Sequence, residues 1–499
     1  MKKILPFLVA GCTFTAQSQE ISDALRFAQD NINGTARFNA MSGAFGALGG
    51  DLSAISINPA SSAVFNNPQV GATLSSYNLR NKAGYFGTNN KETDNSFDLS
   101  QAGGVYVLKN ENQKSDWKKL SLAIDYENVN NFDNSWYASG VNTNNSIASY
   151  FLNYANGGAV PLGLLQNSFY EELSYANAQA FLGYQGYIIN PVTEAGNNTQ
   201  YVSNVPAGGN YFQENAFVST GYNGKASFNV AAQYKDKLYI GLNLNSHFVD
   251  YRQSTAFYEE QSNDPANGLQ RMRFDNDLYT YGNGFSFQLG AIAKLSKELR
   301  VGLTYQSPTW MRLNDEISQA LSSVSINPDT NQQMTTIVDP NVIMVYDTYK
   351  LYIPGKWTGS MAYVFDKYGL ISIDCSLKDY SNTEFSPNNQ FQGVNRAMAN
   401  QLDSNAFDLR IGAEHRIKQF SIRGGYHWEE SPYKNNETIG DLTGFSGGLG
   451  YSFGEYKIDL SYTHSRRVTK QGLFAPVFND YPTISSVSNN ISLTFLVEL

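Results

Sequence analysis

The chain is short of cysteine, histidine and charge: 2 Cys, 4 His, and only 16% Asp, Glu, Lys or Arg among 499 residues, against about 25% charged residues in an average soluble protein. Each shortage closes a class of function. With Cys12 inside an N-terminal export signal, Cys375 is the one cysteine left to the mature chain, so neither an intrachain disulfide nor a cysteine-built zinc or redox centre can form. His247, His415, His427 and His464 are scattered. His427 and His464 have a serine a few residues away, but neighbours in a strand face opposite ways, so no catalytic residues are assigned and no enzyme is expected. No metal site is expected either: Asp264, Asp275 and Asp277 lack calcium-loop spacing and read as solvated loop acids. No cofactor is implied. The net charge of −9 comes without any run of Lys and Arg, which argues against nucleic acid as a partner. Nor does any stretch approach the ~20 apolar residues of a spanning helix, which excludes a helical membrane protein.

What the chain has is aromatics, 33 Tyr and 30 Phe, and alternation. Residues 1–18 read as a signal peptide: Lys2 and Lys3, an apolar run from Ile4 to Phe14, then small residues around Ala16 and Ser18. Val9-Ala10-Gly11-Cys12 also resembles a lipobox; cleavage near residues 16–19 is the reading preferred here. Residues 19–67 form a separate small-residue unit, opened by a short helix over Ile21–Asp30 capped by Ser22. From Val70 to Leu499 the period is two.

Strands come in pairs around tight turns. Phe228, Val230, Ala232 and Tyr234 share one face, and after Lys235-Asp236-Lys237 the pattern resumes with Leu238, Ile240, Leu242 and Leu244. Comparable turns fall near Ser296-Lys297, Asp366-Lys367, Lys418-Gln419 and Gly454-Glu455, with a looser one over 109–118. Twelve strands follow from these six turns, and a first strand near 69–80 and a last near 487–499 make 14. Long connections alternate with the short ones: 81–98, 132–223, 253–276, 313–343, 383–404, 431–440 and 468–486. Short turns at one end and long loops at the other are the habit of outer-membrane barrels. Pro354-Gly355 is read as a kink within one strand running from Val345 to Phe365. The expected fold is therefore all-β, a transmembrane antiparallel β-barrel of about 14 strands over 68–499, in the Gram-negative outer membrane and in contact with its lipid.

Facing follows from the cost of charge on the lipid side. Tyr456, Ile458, Leu460 and Tyr462 should meet lipid, as should Phe407, Leu409 and Ile411, which turns Lys457, Asp459, Asp408, Arg410 and Glu414 into the lumen. Trp357 and Trp428 suit interfacial girdles. Residues 46–65, GALGGDLSAISINPASSAVF, carry several glycines but neither common phosphate-loop spacing. They are also too apolar for a flexible tether. The volume left for them is the barrel lumen, as a hatch.

The stretch NGTARFNAMSGAFGALGGDLSAISINPASSAVF, with its Asn58-Pro59-Ala60 step, resembles the N-terminal hatch of the FadL-type family of outer-membrane transporters for long-chain fatty acids and other hydrophobic compounds, in a Bacteroidetes-like form. RVGLTYQSPTW (300–310) and IRGGYHWEESP (422–432) are similar to that family's strand ends. The resemblance covers essentially all of the mature chain. It implies a 14-stranded barrel plugged by its N-terminus. It also implies passive uptake of a hydrophobic small molecule: capture by extracellular loops, transfer to a lumenal pocket beside the hatch, and lateral release where the third strand is kinked. Regular alternation decays at Glu127-Asn128-Val129-Asn130-Asn131, the matching place here. The expected site is then Asn58, Pro59 and Ala60 beside the ligand, with capture by Phe151, Leu152, Leu164, Leu165, Phe169 and Phe181 of loop 132–223, or with these packed as the loop's own core. Asp408, Arg410, Glu414, Arg423 and Lys457 are read as lumenal ion pairs that anchor the hatch; a fatty-acid carboxylate would need one of the cations for itself. Fatty acid and neutral hydrocarbon both stay open, the protein is expected to be a monomer, and a structural or adhesive barrel with a closed lumen is the alternative.

Overall fold

The computed structural model describes residues 19–112, 114–263, 268–327, 330–474 and 478–499; the expected signal peptide, its Cys12 and the loop acid Asp264 lie outside them. Among the described residues fourteen antiparallel strands close into one barrel. They are β1 (Gln69–Tyr85), β2 (Thr88–Lys109), β3 (Trp117–Asn131, resumed at Asn134–Asn142), β4 (Tyr211–Tyr234), β5 (Leu238–Gln261), β6 (Gly268–Lys294), β7 (Leu299–Gln306, resumed at Thr309–Ile326), β8 (Tyr349–Ile353, resumed at Lys356–Phe365), β9 (Gly369–Lys378), β10 (Ala406–Ile417), β11 (Phe420–Glu429), β12 (Leu442–Ser452), β13 (Tyr456–Lys470) and β14 (Thr483–Glu498). Closure is made by β1 on β14, in register from Gln69↔Glu498 to Gly84↔Thr483.

The six tight turns stand where the sequence places them, and the expected facing holds. Tyr456, Ile458, Leu460 and Tyr462 are exposed to lipid while Asp459 and Ser461 are buried. Trp357 is exposed on the outer face, its ring tilted against that of Tyr305 of β7. The break at Pro354-Gly355 lies inside one strand, as expected. It faces a second break, Ser307-Pro308 of β7, so closely that a Cβ on Gly355 would sit 2.4 Å from the Gln306 carbonyl oxygen.

Three of the seven expected long loops, 81–98, 253–276 and 313–343, are largely strand instead. β1 and β2 run on through 81–98 to a tight turn at Phe86-Gly87, and β5 and β6 stay paired as far as Glu260↔Arg271. β5 has 24 residues and β6 has 27, where about 9–11 span a bilayer. The misreading has a physical cause. Above the bilayer the outer face of a strand meets water, so it needs no apolar residue and the period-two hydropathy disappears, while backbone pairing continues unchanged. Loop 132–223 likewise shrinks to residues 143–210, and 383–404 contains a helix, α7 (Asn388–Gln401).

Inside the ring of strands lies the N-terminal segment: α1 (Ile21–Ala28), α2 (Ala36–Ala40), α3 (Ala54–Ile57) and a 3₁₀ turn over Pro59–Val64. α1 starts two residues earlier than a Ser22 cap would allow, with Glu20 at the cap position and the Asp23 carboxylate accepting the Glu20 N–H at 2.7 Å. Thr35 caps α2 by accepting the Phe38 N–H at 3.1 Å, and Asn58 caps the 3₁₀ turn through the Ala60 N–H at 3.1 Å, with Pro59 at the position where a missing N–H costs nothing. From Phe38 to Ala63 nearly every side chain is buried.

Candidate functional site

The hatch is seated on glycines of the wall. Gly241 of β5 and Gly290 of β6 are direct cross-strand partners, both turned inward. A Cβ on Gly290 would lie 2.0 Å from Asn58 Oδ1, and one on Gly241 would lie 2.4 Å from the Pro59 carbonyl. The footprint continues around the ring: Gly302 against Gly46, Gly412 and Gly425 against Met41, Gly448 against Ala40. Asn58 Nδ2 donates to the Gly46 carbonyl at 2.7 Å and to Ala291 of the wall at 3.1 Å. These glycines were missed in the sequence; their signal is a glycine recurring on the inward phase of strands that otherwise carry polar residues there.

Charge fastens the other side of the hatch. Glu414 of β10 accepts from Arg37 of α2 at 2.8 Å and pairs with Arg416 at 2.6 Å and Arg423 at 2.7 Å, and Arg423 also binds Asp459. Asp374 of β9 accepts the Phe45 and Gly46 N–H groups, each at 2.9 Å. Glu414 and Arg423 are thereby bound up in anchoring. Lys457 stands apart at the periplasmic rim, 3.2 Å from Glu498. Gly444-Phe445-Ser446-Gly447-Gly448 has the spacing of a hydrolase nucleophile elbow, but Ser446 sits mid-strand rather than on a strand-to-helix turn, and its hydroxyl bonds Ser42 at 2.8 Å and the Ala40 carbonyl at 2.9 Å. It is another anchor.

Between hatch and wall is a narrow cavity, partly open to solvent. The hatch contributes Phe27, Asp30, Asn31, Asn33, Phe38, Ser56 and Ile57. Asn58, Pro59 and Ala60 do not line it; they adjoin Ile57 and hold it in place. The wall contributes four cations, Lys225, Lys356, Lys378 and Arg410, against the single wall acid Glu127. Lys225 pairs with Glu127 at 3.1 Å, Lys356 with Asp30 at 3.1 Å, and Lys378 donates to the Ala28 carbonyl. Arg410 is the least satisfied: Glu429 is 3.9 Å from its Nη2, and its buried Nε has no partner among the described residues. Of the five lumenal charges expected from sequence, Arg410 alone lines the cavity; Asp408 is its near neighbour in β10, cross-strand from Glu429.

Apolar groups close the cavity toward the cell exterior. Phe27, Met311 and Ile353 belong both to its lining and to a buried layer in which Leu25 of α1 packs with Leu313, Leu351, Phe385 and, from α7, Phe391 and Met398. To one flank the wall itself is interrupted. The β2–β3 ladder runs from Lys109↔Lys119 to Gln101↔Glu127 and stops; the rest of β3 pairs with β4 alone, after a register shift between Asn128 and Asn130. Side chains bridge the seam in place of the ladder. Asn131 Nδ2 donates to Ser96 at 3.1 Å and to Asp98 at 2.6 Å, and Asp94 accepts the Ser135 N–H at 2.8 Å. Glu127 and Val129, at the foot of this seam, line the cavity.

Residues 143–210 build a packed unit on the extracellular crown from α4 (Ala148–Gly157), α5 (Leu162–Asn167), α6 (Tyr175–Gln185) and a small hairpin of Ile189–Pro191 with Tyr201–Ser203. The six expected capture residues are divided by it. Phe151 and Leu165 are fully buried in its core, Leu152, Leu164 and Phe181 pack against that core, and Phe169 is 70% exposed. The unit is tied to the wall by Glu259, more than 20 residues above the periplasmic turn of β5 and so beyond the ~30 Å hydrocarbon layer. Its carboxylate accepts from Ile147 N–H at 2.9 Å and from Gln213 at 2.7 Å. Burial pushes the Glu259 carboxyl up to about 7, against hydrogen bonds from Ser146, Ile147 and Gln213 that favour the ionised form. A carboxyl whose folded pKa is raised is most compatible with docking below its free value, and docking weakens as pH rises through about 7. Amide exchange across α4 should therefore quicken between pH 5 and pH 8, once corrected for intrinsic rates, and Glu259→Gln should level that dependence; an unchanged pH profile in the variant would show that another group sets it.

Comparison with known proteins places this geometry. Residues 185–475 match the family described as outer membrane protein transport protein (OMPP1/FadL/TodX). Among solved structures, the chain is similar to a Pseudomonas aeruginosa FadL homologue (10% identity, 94% of this chain and 100% of that one, TM-score 0.55) and to the Pseudomonas putida toluene transporter TodX (13% identity, 95% and 100%, TM-score 0.51). No curated protein matches the chain.

Proposed function

The chain belongs to the FadL/TodX family of outer-membrane transport proteins, and from that premise we propose that it is a passive channel for hydrophobic small molecules that carry an acid group, long-chain fatty acids being the class its cavity suits best. In this reading residues 1–18 direct export, 19–67 form the hatch, and 68–499 form a monomeric barrel. One observation carries it: a single cavity is bordered by an apolar layer on the outer side, by the hatch below, and by the interrupted β2–β3 seam at the flank. An alkyl chain entering through the apolar layer would replace Leu25 and Phe27 contacts with its own. Its carboxylate would meet the underused Arg410 guanidinium, which a neutral hydrocarbon cannot do; a charge-assisted bond of this kind contributes about 1.5–3 kcal/mol. Release then runs sideways between β2 and β3 into the membrane.

Uptake of labelled oleate and of labelled toluene into proteoliposomes, with and without the protein, tests the proposal. Oleate uptake should rise well above the lipid background, and Arg410→Gln should cut it roughly tenfold at limiting oleate while leaving any toluene uptake as it was. No uptake of any ligand by the parent would reject transport. That outcome would favour the second reading, a closed barrel whose crown binds a partner, which the fully seated hatch and the packed 143–210 unit also support.

A further inference from the structure

Above the lipid-facing rows of β13, β14, β1 and β2 the outer wall carries four cations that nothing in the fold neutralises: Arg80, Lys82, Lys91 and Arg466, all exposed. No run of sequence gathers them; the register does. Lys82 and Lys91 are direct cross-strand partners, Arg80 stands one inter-residue step below Lys82 on the same face, and Arg80 and Arg466 flank the same residue, Val487 of β14, from either side. Neighbouring strands are about 4.8 Å apart, so the group spans only about 10–15 Å. Among the described residues none of the four has an ion-pair or hydrogen-bond partner. Acids of the same strands cannot serve, because Glu92 and Asp94 occupy the inward phase, opposite Asn81 and Leu79, and Asp94 is already bound to Ser135. Lys470, higher on the same face, does have its own acid, Glu437 at 2.7 Å.

Like charges directly opposite on a sheet are destabilising, and here they stand in a chain of net charge −9. Directly below them on the same outward face runs a polar row, His464, Asn489, Asn78 and Asn95, and beneath it Tyr462, Ile491 and Phe97 open the lipid-facing belt that continues to Leu74. The cations thus stand one polar row above the lipid-facing belt, at the level expected of the outer-leaflet headgroups. Two guanidinium forks and two ammonium groups within that span suit phosphate, which accepts bidentate bonds from Arg and point-charge contacts from Lys. We propose that this patch is a binding site for a phosphate-bearing lipid headgroup of the outer leaflet.

The test uses the intact barrel in nanodiscs of zwitterionic phospholipid, titrated with diphosphorylated lipid A, with the same lipid after phosphatase treatment, and with inorganic phosphate, binding being read by native mass spectrometry and by thermal unfolding. The phosphorylated lipid should bind at least tenfold more tightly than the dephosphorylated one and raise the unfolding temperature. Combined Arg80→Gln, Lys82→Gln, Lys91→Gln and Arg466→Gln should abolish that difference, whereas Lys297→Gln with Lys367→Gln, at periplasmic turns, should keep it. If the fourfold variant fails to fold, Lys82→Gln with Lys91→Gln alone should still reduce the preference severalfold. Equal binding of the two lipids, an unaltered preference in the variants, or the full effect from inorganic phosphate would each overturn the proposal.

Discussion

Cross-linking position 96 to position 131, as Ser96→Cys with Asn131→Cys in a Cys375→Ala background, is expected to bring ligand uptake down to the lipid background. These side chains lie on opposite banks of the β2–β3 seam, with Asn131 Nδ2 3.1 Å from Ser96 Oγ. Below them the ladder ends at Gln101↔Glu127, and above them Asp94 and Ser135 form the next bridge. Each such bridge is a net contribution of about 0.5–1.5 kcal/mol, rising to about 3 where a carboxylate takes part, so a passing ligand can open the seam by breaking two or three of them. A covalent tie cannot be opened thermally. A short reagent with an internal disulfide should block uptake, and reduction of that disulfide should restore it, which separates closure of the seam from damage to the fold. Cys375 is replaced because it is the one other thiol among the described residues and its half-exposed side chain could react. Full uptake through the tied protein would place the exit elsewhere while leaving entry and the cavity as described.

Gly290→Leu is expected to convert a sealed barrel into an ion-conducting one. The wall cannot yield at this position, because β6 is laddered to β5 on one side and to β7 on the other. A Cβ there would overlap Asn58 Oδ1 at 2.0 Å and Pro59 Cδ at 2.7 Å, so the hatch must leave its seat. Planar-bilayer conductance should rise several-fold over the parent. Asn58→Ala in the same assay should do less: it removes the bonds to Gly46 and Ala291 and the cap on Ala60, about 1–3 kcal/mol in all, but leaves the glycine seat in place. Gly359→Leu, where an added Cβ meets nothing within 4 Å, should conduct like the parent. If Gly290→Leu stays closed, the hatch is held by Glu414, Arg37 and Asp374 strongly enough to reorganise locally around the side chain.

The membrane-crossing part of the fold was legible because lipid on one side and polar lumen on the other force alternation, as in Leu238 to Leu244 or Tyr456 to Tyr462. The same logic failed above the bilayer, where Asp275 and Asp277 sit in β6 rather than in a loop, since water on the outer face removes the pattern without removing the strand. Within the candidate site, Arg410 could be found from its inward phase. Lys356 and Lys378 could not be ranked above other lysines, because what makes them part of a cavity is the position of Asp30 and Ala28, contributed by a segment more than 300 residues earlier. The four outward cations were invisible for a related reason: only strand register brings Lys82 to Lys91 and Arg80 to Arg466.

The hatch contacts also constrain how the molecule can be built. Ala36 donates to Thr494 across 458 residues and Ser42 meets Ser446 across 404, while Asn58 and Ser62 reach Ala291 and Ser121 on other parts of the ring. No partial sheet presents these partners together. The hatch is fully seated only when β3, β6, β12 and β14 stand in the same ring, and contacts so distant in sequence are slow to form. A barrel short of any of these strands offers the hatch only part of its seat, so losing one strand would loosen the plug as well as the wall.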